Sequence, residues 1–128
     1  MNFYSVSFAA GVVGLSVLPG AARADSAVYF YRANTTIEQK HADATRCADL
    51  AQKKMPNADS TNVDFITAVI QCMRSKKYSF GVFPECESKA VQKSLVPILR
   101  NKSRPPREGA CVIQVTGRTG NLVYADEQ

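Results

Sequence analysis

Four cysteines, Cys47, Cys72, Cys86 and Cys111, constrain this chain more than any other feature. They are separated by 25, 14 and 25 positions, with no CxxC or CxxH pair of the kind that opens a zinc knuckle or carries thiol redox chemistry. An even count at such wide spacing predicts two disulfides and no bound metal. Three pairings are open. The expected one is Cys47 with Cys72, joining two consecutive helices, and Cys86 with Cys111, tying a third helix to the C-terminal strands. Each closes a loop of about 25 residues, worth roughly 3 kcal/mol by chain entropy. A small domain whose whole stability is about 5–15 kcal/mol depends on such bridges.

Disulfides require an oxidising compartment, and residues 1–24 read as the means of reaching it. An apolar run from Phe8 to Leu18 is followed by Pro19 and Gly20, then by Ala22-Arg23-Ala24 in the small-x-small form of a signal-peptide cleavage site. The preceding MNFYSVS carries no Lys or Arg, so the positive n-region reduces to the amino terminus. Eleven apolar residues at about 1.5 Å each do not span a bilayer core of roughly 30 Å, so no membrane anchor is expected there. Cleavage after Ala24 removes 24 of the 128 residues and leaves 104, residues 25–128, enough for a single domain with a modest core. The expected location is the periplasm or the exterior, with no transmembrane segment in the mature chain.

Patterning along residues 25–128 predicts an α+β fold in which a small antiparallel sheet, made of an N-terminal strand and a C-terminal hairpin, is packed by about three helices. Ala27–Arg32, with an unbroken β-branched and aromatic run from Val28 to Tyr31, reads as a strand whose Tyr29, Phe30 and Tyr31 pack the core. From Thr36 to Lys54, Ile37, Ala44, Cys47, Ala48, Ala51 and Met55 define an inner stripe, with Glu38, Lys40, Arg46 and Lys53 outside it. After the polar loop 55–60 comes the clearest helix, within residues 61–80. Val63, Ile66, Ile70 and Met73 recur at three and four, Phe65, Val69 and Cys72 lie alongside, and Thr61 with Asp64 is the expected cap. Residues 78–83 read as a short strand or an extended crossing. Pro84 opens a third helix with Cys86, Ala90, Val91 and Leu95 inward, and Pro97 ends or kinks it. Residues 110–116 and 121–125, either side of Gly117-Arg118-Thr119-Gly120, form the hairpin.

No catalytic set emerges. His41, the lone histidine, lies near Glu38 and Asp43 in sequence but has no placeable nucleophile, so it reads as an exposed helix residue. GRTG lacks the lysine-hydroxyl ending and the following helix of a phosphate loop. No cofactor is expected. Asn34-Thr35-Thr36 and Asn101-Lys102-Ser103 match the N-glycosylation acceptor, with meaning only in a eukaryotic host. Charge is the feature that bears on partners. Residues 25–73 hold five basic and six acidic residues, whereas residues 74–118 hold ten and three. Arg74, Lys76, Lys77, Arg100, Lys102, Arg104, Arg107 and Arg118 form the expected surface for an anionic envelope component or an acidic protein. Nucleic acid is disfavoured, because no binding motif accompanies the charge.

HADATRCADLAQ followed by FITAVIQCMRSKKYSF resembles a pattern in small, poorly characterised bacterial envelope proteins, where a cysteine-bearing helix precedes one ending C-M-x-x-K-G-Y. Lys77 stands where that pattern has glycine. The resemblance implies an exported bacterial protein with structural cysteines and carries no catalytic residue across. Three function classes follow: a non-enzymatic exported binding protein with a basic surface, a secreted inhibitor or effector acting on another protein, and a small hydrolase built on His41.

Overall fold

The computed structural model describes residues 5–6, 26–87, 92–117 and 119–128. The cleavage site, Ala90, Val91 and Arg118 lie outside the described residues. Strand β1 (Ser5–Val6) pairs antiparallel with β2 (Ser26–Tyr31), which pairs on its other side with β3 (Ser79–Pro84). Helices α1 (Ile37–Lys54) and α2 (Val63–Ser75) lie between β2 and β3 in sequence. A 3-10 turn (Lys93–Leu95) runs into the short helix α3 (Val96–Leu99), and β4 (Cys111–Thr116) and β5 (Thr119–Val123) close the chain before a last 3-10 turn (Ala125–Glu127). The α+β class with two disulfides holds. The sheet is divided, however: the N-terminal strand pairs with β3, and the hairpin β4–β5 is a separate two-stranded sheet. A parallel bridge from Glu85 to Val112, with Cys86 N–H donating to Val112 O at 2.9 Å, connects the two.

Successive residues of β2 serve different cores, as a strand with both faces covered must. Val28 and Phe30 pack with Ala44, Ala48, Phe65, Val69 and Met73 of the two long helices, whereas Ala27 and Tyr29 pack with Val112, Leu122 and Tyr124 of the hairpin side. The expected disulfides form. Cys47–Cys72 joins α1 to α2 with Cα atoms 5.6 Å apart, and Cys86–Cys111 ties the segment after β3 to the first residue of β4 with Cα atoms 4.9 Å apart.

Several local expectations change. Pro84 is the last residue of β3 instead of the first of a helix, so Cys86 sits in extended chain. Pro97 lies in the first turn of α3, where its missing N–H leaves no hydrogen bond unmade, instead of ending a helix. Helix α2 is capped by Asn62, whose Oδ1 accepts from Asp64 N and Phe65 N, while Thr61 hydrogen-bonds Asp59. Val63, the first residue of α2, is exposed, and the buried stripe is Phe65, Ile66, Val69 and Met73. Helix α1 begins with a capping box in which Thr36 Oγ1 accepts from Gln39 N and Gln39 Oε1 from Thr36 N. The hairpin connection is tighter than four residues, because Thr116 pairs with Thr119. Gly120 is required in β5: a Cβ there would lie 2.7 Å from a Val112 methyl and 2.9 Å from Ile113 O.

Helix α2 ends in a Schellman turn. Tyr78 N–H donates to Met73 O at 3.1 Å and Lys77 N–H to Arg74 O at 3.0 Å, with Tyr78 and Met73 packed in the same core. This turn places Lys77 at φ 74°, the left-handed conformation that glycine adopts without penalty. The helix therefore stops where the glycine of the C-M-x-x-K-G-Y pattern would stop it, at a conformational cost. Lys77→Gly is expected to stabilise the domain by about 0.5–1 kcal/mol, read as a higher urea midpoint; a lower midpoint would contradict this account of the turn.

Candidate functional site: a buried lysine beneath a basic loop

Lys40 is only 2% exposed. Its position follows the inner stripe of α1, since Ile37, Lys40, Ala44, Cys47, Ala48 and Ala51 are the buried residues of that helix. The charged residue type had placed it outside the stripe, and the structure corrects this. Lys40 Nζ donates to Phe30 O and to Ser103 Oγ, each at 2.9 Å, and lies 3.9 Å from the centre of the Tyr29 ring. No carboxylate forms an ion pair with Lys40 among the described residues. Burial without a counter-charge pushes its pKa down to about 7.

Tyr29 Oη continues the network. It is 2.6 Å from Arg104 O, 2.9 Å from Ser103 Oγ and 3.2 Å from Asn121 Oδ1. A phenol has one proton, and the shortest contact claims it, so Ser103 donates to Tyr29 and the bonds run from Lys40 through Ser103 and Tyr29 to the Arg104 carbonyl. Burial raises the Tyr29 pKa well above the usual tyrosine value, the bond donated by Ser103 opposing it in part. Asn121, wholly buried, donates through Nδ2 to Leu99 O and Lys102 O and accepts Arg104 N–H at Oδ1. Ile37 N–H takes Asn101 O, Ser103 N–H donates to Thr35 O, and Tyr124 Oη donates to Pro105 O.

The carbonyls of Leu99, Asn101, Lys102, Arg104 and Pro105 are thus all engaged by groups from β2, α1, β5 and Tyr124. Loop 100–109 belongs to no helix or strand, yet its backbone is bonded from beneath along residues 101–105. Its outer side is free: Asn101, Lys102 and residues 105–109 are exposed, while Ser103 is buried.

The basic residues singled out by charge divide into three situations. Arg100, Lys102 and Arg107 are exposed on or beside this loop, and Arg107 lies 3.9 Å from the Tyr124 ring. Arg104 is structural. Its guanidinium makes two bonds to Glu127, at 2.7 and 3.0 Å, and stacks 4.0 Å from Tyr124; the Glu127 carboxylate raises its pKa and is itself held below the usual range by Arg104. Arg74, Lys76 and Lys77 lie at the end of α2 and in the turn after it, where Lys76 O accepts from Arg32 Nη1.

The other sequence candidates are differently engaged. His41 is half-buried instead of exposed, close enough to the hairpin turn that a Cβ on Gly117 would be 3.3 Å from its Cε1. The Asp43 carboxylate accepts from Tyr78 Oη at 2.8 Å and faces Arg32 at 3.5 Å. Lys40 beside a serine hydroxyl is the arrangement of a general base and a nucleophile. The amides that would serve a developing oxyanion, Ser103 N–H and Arg104 N–H, are committed to Thr35 O and Asn121 Oδ1. The network's work in this geometry is to fix the loop. No known protein family, characterised protein or solved structure matches the chain.

Lys40 makes stability depend on pH. The unfolded chain returns it to the ordinary value of 10.5, so between about pH 7 and 10.5 the unfolded state binds more protons and stability rises with pH. Above pH 10 the trend reverses, because Tyr29 and Tyr78, both pushed upward by burial, ionise first in the unfolded chain. The unfolding free energy from urea titrations is expected to climb between pH 6 and pH 9 by an amount on the order of a few kcal/mol, and Lys40→Met is expected to flatten the climb. An unchanged slope in Lys40→Met would assign the effect elsewhere.

Proposed function

We propose that this chain is an exported binding protein that presents loop 100–109, already formed, to an anionic or acidic partner in the periplasm or outside the cell. The single observation that carries the reading is the anchoring of the loop, its backbone by Tyr29, Asn121 and Tyr124 and its Ser103 hydroxyl by Lys40, while Lys102, Pro105, Pro106 and Arg107 face solvent. A loop ordered before it meets its partner loses little further entropy on binding, so more of the contact energy appears as affinity. Its charge speeds encounter with anionic surfaces and makes binding salt-dependent. Export is supported by the leader-like residues 1–24 and by the two disulfides. The resemblance to small bacterial envelope proteins fits the same reading.

The test is crosslinking in the native host followed by capture with the intact protein and with Lys102→Glu/Arg107→Glu, both exposed positions. Expected is one partner held by the intact protein, weakened at least tenfold by the reversal and by raising salt. Equal capture by both would remove the loop from the interface.

A further inference from the structure

Beside the anchored loop lies a groove of about 410 Å³, within the range of about 300–1,000 Å³ usual for small-ligand sites. It lies where the end of β2 and the turn after it run against loop residues 101–105, a junction fixed by the Thr36–Lys102 bridge and the Ser103 N–H bond to Thr35 O. Three kinds of surface line it. Tyr31, Ile98 and Pro105 are its apolar lining residues, and Asn34 and Asn101 are lining residues that carry carboxamides. Lys102 and Arg104 are its basic lining residues, with Ser103 between them, and no acidic residue takes part in the lining among the described residues. Arg104 shares its charge with Glu127, whereas Lys102 is exposed and in no ion pair among the described residues. Beneath Ser103 lies the Lys40 amine, 2.9 Å from its hydroxyl, likewise without a carboxylate.

We propose that this groove binds an acidic saccharide unit, a hydroxylated ring bearing a carboxylate; this rests on the binding role above and names the chemistry its partner offers. A bare phosphate would leave the Tyr31, Ile98 and Pro105 wall unused. A fatty acid would leave the two carboxamides facing hydrocarbon without hydrogen-bond partners, which costs free energy. A uronate uses all three surfaces: carboxylate toward Lys102, hydroxyls on Asn34 and Asn101, and the C–H face of the ring against the apolar wall. Asn34 holds its place in the left-handed conformation at φ 59°, which asparagine tolerates better than most residues.

The experiment is a calorimetric titration of the intact protein with trigalacturonic acid, its neutral galactose counterpart, inorganic phosphate and hexaglutamate. Trigalacturonic acid is expected to bind at least tenfold tighter than the other three. Lys102→Met and Asn34→Ala are expected to lower that affinity at least tenfold each, whereas Arg74→Gln leaves it unchanged. Equal affinity for trigalacturonate and phosphate, or an unaltered affinity in both groove variants, overturns the inference. Tighter binding of hexaglutamate also overturns it, assigning the groove to an acidic peptide. Failure here while host capture still depends on Lys102 and Arg107 refutes the saccharide site alone; loss of that dependence refutes the binding role itself.

Discussion

Asn121→Leu is expected to destabilise the domain by about 3 kcal/mol or more and to release loop 100–109. The side chain is wholly buried, and its amide serves Leu99 O, Lys102 O and Arg104 N, three backbone groups with no helix or strand partner. Each group left unsatisfied costs about 1–3 kcal/mol, with the lower figure applying where the loosened loop can reach water. Leucine has the same branched outline and is somewhat larger, so no cavity is left and the loss reports the hydrogen bonds together with any crowding. Asn121→Asp keeps the acceptor for Arg104 N–H but loses both donations, and its loss is expected to exceed that of Asn121→Leu because a buried carboxylate would face two carbonyl oxygens. Urea denaturation measures the stability, and trypsin cleavage after Lys102 or Arg107 reports the loop. A variant with wild-type midpoint and wild-type resistance to trypsin would contradict the role given to Asn121.

Replacing both Cys47 and Cys72 with alanine is expected to cost about 3 kcal/mol in chain entropy, plus the packing of two side chains in or against the main core. In a domain of this size that is a fall of roughly 10–20 °C in melting temperature. The Cys86/Cys111 pair carries a similar entropic term but a different consequence. It ties the chain after β3 to the start of β4, the strand that with β5 holds Asn121. Its removal is therefore expected to raise loop cleavage by trypsin more than removal of the helix–helix bridge does, at comparable loss of stability. Equal sensitivity of the two double variants would indicate that the hairpin keeps its place without the bridge.

The disulfide pattern and the two long helices were legible in the sequence because both rest on spacing, which the fold preserves. Lys40 falls on the buried stripe of α1 by the same spacing, but its charged side chain set it outside that stripe when judged from sequence. A buried amine is tolerable only where oxygens await it, and those belong to Phe30 and Ser103, ten and sixty-three positions distant. No local signal reports such partners. Asn121 was hidden for the same reason, since an asparagine in a strand gives no sign that it bonds a loop some twenty residues earlier. Pro97, read as a helix end, lies in a helix's first turn, and Pro84, read as a helix start, closes a strand, because proline suits all of these positions and only the surrounding chain decides. The charge-based surface was partly recoverable. Arg104 drops out because Glu127, twenty-three residues on, engages it, while Lys102 and Arg107 remain outward. The groove joins Tyr31 and Asn34 to residues 98–105, and that meeting exists only in the fold.

Amide hydrogen exchange at Ser103 and Arg104, resolved by NMR, tests the central claim most directly. Both amides lie in a loop with no regular secondary structure, yet they donate to Thr35 O and Asn121 Oδ1 over the buried Lys40–Tyr29 pair. Protection close to that of Val69 and Met73 in α2 is the predicted result, falling sharply in Asn121→Leu. Exchange at the rate of an open surface loop, while the α2 amides stay protected, would show that the loop is not held in advance and would remove the basis for its role in binding.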